Sequence, residues 1–262
     1  PDGVLGFGRD PGPRTILSEP ETPSEREADL FAGALRRLTP HAIVSYGLVV
    51  ANVAVWVTMV TAGVSARSPG VEALIAYGAN QGALTAAEGQ WWRLVSATFV
   101  HVGLAHLAFN MLALLQIGPL VERLLGNGAF VVAYVLAGVV GSLASLLYHP
   151  PALVSAGASG AIFGVIGALL AVVVTQRDSI PHGELRRLRL SALSFVGYNL
   201  VVGLVVPAID MAAHLGGLAA GFVVALPLAR PIVGEPSRAR PLLIGAVAAM
   251  GALAVAGLTL LT

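Results

Sequence analysis

The stretch GASGAIFGVIGALLAVVVT, Gly157 to Thr175, carries no charged side chain and is followed at once by Gln176 and Arg177. A hydrocarbon core of about 30 Å takes roughly 20 helical residues, so this stretch reads as a membrane-spanning helix. Its glycines at positions 157, 160, 164 and 167 form a small-residue face of the kind that lets helices approach closely. Taken alone, that face points to packing. The polar group at its start is Ser159, placed where free backbone N–H groups and the positive end of the helix dipole favour a developing negative charge.

The same criterion predicts six more spans: Ala42 to Val64, Gly103 to Val121, Ala129 to Tyr148, Leu190 to Val206, Ala212 to Ala229 and Leu242 to Leu261. Composition agrees: 56% of the 262 residues are apolar and 11% charged, where a soluble domain carries about 25% charged. That balance excludes an ordinary soluble enzyme. The net charge of +1 is built from scattered arginines with no lysine, which leaves no footprint for nucleic acid. With no cysteine, disulfides, thiolate metal sites and a cysteine nucleophile are excluded. The chain begins at Pro1 and its first methionine is Met59, so a longer natural N-terminal region is expected, and no signal peptide is read.

Arginine placement sets the orientation. Thirteen of the 15 arginines fall in the first 40 residues or in the connections after the second, fourth and sixth spans, whereas Arg67 and Arg93 lie after the first. The positive-inside rule then predicts a cytoplasmic N-terminus and an outer C-terminus. Residues 1–40 read as a polar cytoplasmic tail ending in an amphipathic piece, Glu25 to Leu38. Ser65 to Val100, with Tyr77, Trp91, Trp92 and Phe99, reads as a structured hairpin at the outer interface.

Polar groups in hydrocarbon are costly unless they serve a site or find a partner. They cluster at the start of three spans: His101, His106 and Asn110; Ser159; and His214 after Asp210. All three spans start on the outer side, so the residues share one shallow depth. His106 and Asn110, four apart, share a helix face. A serine nucleophile needs a base, and His214 is the expected one. The backbone N–H of Ser159, the His106 imidazole and the Asn110 amide are expected to stabilise an oxyanion. Structural roles are expected for His101, Tyr198 and Asp210, although Asp210, four before His214, could in principle orient it. A metal site of His101, His106 and His214 lacks acidic partners, so no metal and no cofactor are expected.

These residues resemble the rhomboid intramembrane serine proteases. Trp92-Arg93 resembles the family's WR motif; His101, His106 and Asn110 its HxxxxHxxxN element; Gly157-Ala158-Ser159-Gly160 its GxSG; and Ala213-His214 with Gly217 and Gly221 its AHxxGxxxG. Glu122, four before Gly126, matches an inner-face acid-to-glycine pattern. The resemblance covers Ala42 to Ala229. It implies an all-α polytopic membrane protein with a six-helix core and an additional C-terminal transmembrane helix. The implied divisions are a tail over 1–40, a catalytic membrane domain over 41–230, and an inner-face loop with the seventh span over 231–262. It further implies a Ser159/His214 dyad without a catalytic Asp, and oxyanion assistance from His106 and Asn110. Substrates would be single-pass membrane proteins cut in or near their transmembrane helices, within a bilayer that is the other partner. The fifth span would serve as a gate and Pro207 to Met211 as a cap. Two positions depart from the pattern. Phe163 replaces a Tyr that packs on the base, so stacking survives and a hydroxyl contact does not, and Gln90 replaces an acid that pairs with Arg93. Alternatives are an inactive client-binding relative, which would usually lose Ser159 or His214, and a transporter, which would need ionisable groups deeper in the spans. Lysine-free, Ala/Gly/Val/Arg-rich composition suggests a GC-rich bacterial genome and the inner membrane.

Overall fold

A computed structural model describes residues 22–206, 209–232 and 239–260. The first 21 residues of the expected tail, Pro207 and Ala208 of the expected cap, and Arg238 lie outside the described residues.

The chain is mostly helical. Helix α1 (Pro23–Leu38) starts with a capping box in which the Glu25 N–H donates to Thr22 Oγ1 and the Thr22 N–H to Glu25 Oε2. Its buried face is Phe31 and Leu35. The apolar helices are α2 (Ile43–Thr61), α5 (Leu104–Leu125), α6 (Asn127–Tyr148), α7 (Ser159–Thr175), α8 (His182–Val205), α9 (Met211–Leu228) and α10 (Arg240–Leu260). Among the described residues, five of them (α2, α5, α6, α8 and α9) are long and apolar enough to cross a membrane, while α7 and the Arg240–Ala254 part of α10 are shorter.

Helix α7 is short because it is central. Thirteen of its 17 residues are buried, and at 1.5 Å per residue it is about 25 Å long, less than a hydrocarbon core of about 30 Å. A helix lined by protein does not need to reach both interfaces, so one end can lie below the membrane surface. Glycine sets its distance from α9. A Cβ on Gly217 would stand 2.0 Å from the Gly160 carbonyl oxygen, and one on Gly221 1.9 Å from that of Gly164. A Cβ on Gly164 would meet that of Ala137 on α6 at 2.0 Å. Helices α7 and α9 therefore touch backbone to backbone, and the Ala137 methyl of α6 packs directly on Gly164.

Helices extend beyond the spans read from hydropathy where polar residues find partners. Helix α5 runs on past Val121 through Glu122 and Arg123, and α8 begins at His182, with Arg187 paired to Glu184 at 2.8 Å. The hairpin between α2 and α5 holds α3 (Val71–Ala76), a π-turn (Ala83–Ala87) and α4 (Arg93–Ser96). It also holds strand β1 (Asn80–Gln81), antiparallel to β2 (Val154–Ser155) with Asn80 opposite Ser155. This two-residue ladder departs from the all-α expectation, because loop backbone between helix ends must still pair its N–H and C=O groups. Asn80 Nδ2 donates to the Ser142 carbonyl of α6 at 2.9 Å, which seats the loop on the bundle.

At the opposite end, Glu122 is fully buried and accepts from the N–H groups of Val44 and Ser45, each at 2.8 Å, and from Ser45 Oγ at 2.6 Å. One carboxylate thus caps the start of α2, an anion against the positive end of a helix. Arginines cap the end of α5. Arg230 donates to the carbonyls of Arg123 at 2.7 Å and Leu124 at 3.1 Å, and Arg240 to that of Leu125. Arg230 also donates to Thr39 Oγ1, and Arg123 to the Thr39 carbonyl, so the α1–α2 connection joins the same knot. Burial, reinforced by Arg240, pulls the Arg230 pKa down to about 10, which leaves it charged at neutral pH.

Candidate active site

Ser159 opens α7 and Phe163 follows one turn later on the same face. The Phe163 ring stacks on the His214 imidazole with centroids 4.2 Å apart and an interplanar angle of 15°. His214 therefore lies against the first turn of α7, which Ser159 opens. Its other side is set by α9: a Cβ on Gly160 would stand 3.3 Å from the carbonyl oxygen of Ala213, the residue before His214. Phe163 also meets Phe195 of α8 edge-on at 5.4 Å, linking the imidazole to a second helix. Among the described residues no hydrogen bond joins Ser159 to His214, and His214 Nδ1 is buried without a partner. Resting sites often hold such pairs long and close them when substrate binds.

His106 reaches the same place from α5. Gly157 has φ +137°, a region that favours glycine, and a Cβ there would stand 2.5 Å from the His106 ring. The absent side chain is what lets His106 lie against the backbone leading into Ser159. His101 is fully buried, tilted against His106 at 5.2 Å between centroids, and its Nε2 accepts from the Ala158 N–H at 3.4 Å. His101 thus holds the turn before Ser159. His106 Nδ1 and Asn110 Nδ2 are buried and without partners. A free, buried amide donor of this kind is suited to receive an oxyanion.

Around this centre the loop is firmly tied. Arg93 donates to Gln90 Oε1 at 2.7 Å and to the carbonyls of Ile75 at 2.7 Å and Ala79 at 3.0 Å, with its guanidinium 4.5 Å from the Trp92 ring centroid. The amide oxygen of Gln90 thus replaces the acid expected there, and Arg93 is anchored without it. Burial pulls the Arg93 pKa below its ordinary value, against the opposing pull of Glu88. Asp210 caps α9 through the Ala213 N–H at 2.9 Å and accepts from Ser155 Oγ at 2.6 Å and His149 Nε2 at 3.2 Å. Among the described residues it makes no hydrogen bond to the His214 ring, whose Nδ1 has no partner. Tyr198 corrects its expectation: it is 70% exposed on α8 and holds nothing together in the described structure.

Sequence reasoning missed His149 and Ser155. The available signal was positional, since His149 ends α6 before Pro150-Pro151 on the side where Asp210 lies. Among the described residues no group of three or more His, Cys, Asp or Glu has a metal-site arrangement.

The family described as the rhomboid domain matches residues 88–231. Rhomboid protease GluP of Bacillus subtilis (strain 168) is 43% identical over 171 residues, 65% of this chain and 32% of that protein. YdcA of the same bacterium is 34% identical over 140 residues, 53% of this chain and 68% of its own length. RHOMBOID-like protein 5 of Arabidopsis thaliana is 39% identical over 136 residues, covering 52% and 43%. The matched part is about a third of the length of GluP.

Proposed function

The chain belongs to the rhomboid family, and on that premise we propose that it is an intramembrane serine endopeptidase in which Ser159 is the nucleophile and His214 the base. The observation that carries this reading is the stacking of His214 on Phe163, one turn from Ser159 on the same face of α7. The bundle would be a six-helix core of α2 and α5 to α9 with α10 added, in a bacterial inner membrane, N-terminus cytoplasmic and C-terminus outside. Residues 1–40, 41–230 and 231–262 would divide into tail, catalytic domain and C-terminal addition.

Ser159 Oγ attacks the carbonyl carbon of a peptide bond in or near a substrate's transmembrane segment, and His214 takes the hydroxyl proton. The oxyanion is met by the Ser159 N–H, His106 and Asn110. Collapse breaks the C–N bond, and His214 returns its proton to the leaving amine. Water, deprotonated by His214, then attacks the acyl-enzyme and releases a carboxylate and free Ser159. The substrate must be extended at the cleaved bond, because a hydrogen-bonded helix keeps its carbonyls engaged and hidden. Placing the serine at the end of a short, submerged helix lets water and an unwound strand meet at one depth.

The test is the reconstituted protein, offered a fluorophosphonate probe and a model transmembrane substrate. The native chain is expected to be labelled and to cleave. Ser159→Ala and His214→Ala are expected to lose at least about 10³-fold in kcat while melting within about 2 °C of the native chain. A native chain inert to both reagents overturns the reading in favour of a client-binding relative.

A further inference from the structure

The residue four before each half of the dyad is polar: Ser155 precedes Ser159, and Asp210 precedes His214. The fold joins these two. Ser155 Oγ, in β2, donates to Asp210 Oδ2 at 2.6 Å. Oδ1 of the same carboxylate accepts from the Ala213 N–H at 2.9 Å, which caps α9, and from His149 Nε2 at 3.2 Å, at the end of α6. The Ser145 side chain, one turn earlier on α6, also favours the ionised carboxylate. One carboxylate therefore collects the strand that leads into α7, the first turn of α9 and the last turn of α6. Strand β2 is in turn held by β1 through the Asn80–Ser155 pair, so the tie is anchored in the outer loop as well.

A simple helix cap needs only the Ala213 contact. The additional partners lie on other elements: Ser155 on β2, which leads into Ser159 at the start of α7, and His149 at the end of α6. Packing below makes the spacing sensitive, because Gly160 and Gly141 both face the Ala213 carbonyl, at 3.3 Å and 2.8 Å from where a Cβ would sit. A sliding of α9 along α7 thus moves His214 against Ser159 directly, and a misplacement of about 1 Å can cost on the order of 10²-fold in rate.

We propose that Asp210 is a positioning residue: by binding Ser155 and capping α9 at once, it sets the separation of Ser159 and His214, with His149 anchoring the tie to α6. This rests on the dyad reading above. Asp210 does not act as a third member of the catalytic group. The His214 backbone N–H donates to the Asp210 carbonyl at 3.1 Å, while the imidazole Nδ1 has no partner among the described residues. Burial by itself would raise the Asp210 pKa, but the Ser145 and Ser155 hydroxyls, the Ala213 N–H and His149 together hold it below the ordinary carboxylate value. The tie is thereby ionised at neutral pH, which strengthens its hydrogen bonds.

The experiment compares Ser155→Ala, Asp210→Ser, Asp210→Asn and the double variant Ser155→Ala/Asp210→Ser in the full reconstituted chain. It measures kcat and KM on a transmembrane substrate, the rate of fluorophosphonate labelling, and melting temperature. Asp210→Ser keeps a capping side chain and loses the reach to Ser155 and His149. Ser155→Ala and Asp210→Ser are each expected to lower kcat and labelling about tenfold with KM within about twofold, and the double variant to lose no more than Asp210→Ser. Asp210→Asn, which keeps an oxygen acceptor at the same reach, is expected to recover most of the loss. Native kcat in Asp210→Ser shows that the cap suffices and overturns the proposal. So do losses that multiply in the double variant, or losses that follow melting temperature alone. A native chain that takes no label removes the dyad reading and the positioning role with it. In that case a coupling of Ser155 and Asp210 in melting temperature still reports the tie, which separates the two failures.

Discussion

At the arginine end of the bundle, buried charge is satisfied: Glu122 takes three donors from the start of α2, and Arg230 gives its donors to Leu124, Arg123, Leu38 and Thr39. At the loop end, His106 Nδ1, Asn110 Nδ2 and His214 Nδ1 are buried and have no partners. A buried polar atom left unpaired costs about 1–3 kcal/mol, so three within one cluster are a standing cost to the fold. Stability alone would remove them. On the proposed function the two sets differ in use, the paired groups joining helices and the three free ones at the loop end meeting the charge that develops during the reaction. Asn52, Trp56, Asn127 and Tyr134 also leave a buried polar atom unpaired elsewhere.

The comparison can be broken most sharply at Asn110. Asn110→Ala is expected to lower kcat on the order of 10²-fold, yet to leave the melting temperature unchanged or raised, since it removes an unpaired buried donor. A melting temperature that drops with activity would place Asn110 among the joining residues. Glu122→Ala should do the reverse. It strands the Val44 and Ser45 N–H groups and Ser45 Oγ, so unfolding should become easier by about 3 kcal/mol, while fluorophosphonate labelling per folded molecule stays at the native rate. Next in size is Gly217→Ala, which tests the packing between the two ends. Its Cβ would stand 2.0 Å from the Gly160 carbonyl oxygen, and forcing α7 from α9 should cost about 1–3 kcal/mol and lower kcat as well, because the same contact sets the dyad spacing.

The smallest expected effect is on acid stability. Asp210 has its pKa lowered in the folded state, so its contribution is present above the ordinary carboxylate value of about 3.9 and is lost as the pH falls from there through the folded value. Melting temperatures of native chain and Asp210→Asn should therefore converge below about pH 4, by about 2 °C. Curves that stay parallel down to pH 3 would show that the carboxylate charge adds nothing to the fold.

Hydropathy and a few polar residues sufficed to place the helices, because the bilayer demands long apolar stretches and penalises each exception to them. That is why the apolar helices, five of them among the described residues long and apolar enough to cross a membrane, and the amphipathic piece before them could be read from residue order. The stacking of Phe163 on His214 was implied by the family resemblance, in which an aromatic ring at this position packs on the histidine. Other features follow from distances between segments far apart in the chain. Glu122 reaches residues 77 and 78 positions away, and Asp210 meets Ser155 across 55. No local pattern encodes such a partner, because a carboxylate reads the same in sequence whether it caps its own helix or a distant one. Gln90 could hold Arg93 because an amide oxygen accepts from a guanidinium much as an acid does, a choice settled by loop geometry. Residue order determined which helices are apolar and where they are interrupted by polar groups. Tertiary packing, through backbone contacts that only glycine permits, decided which of them meet partners and which are left free to act.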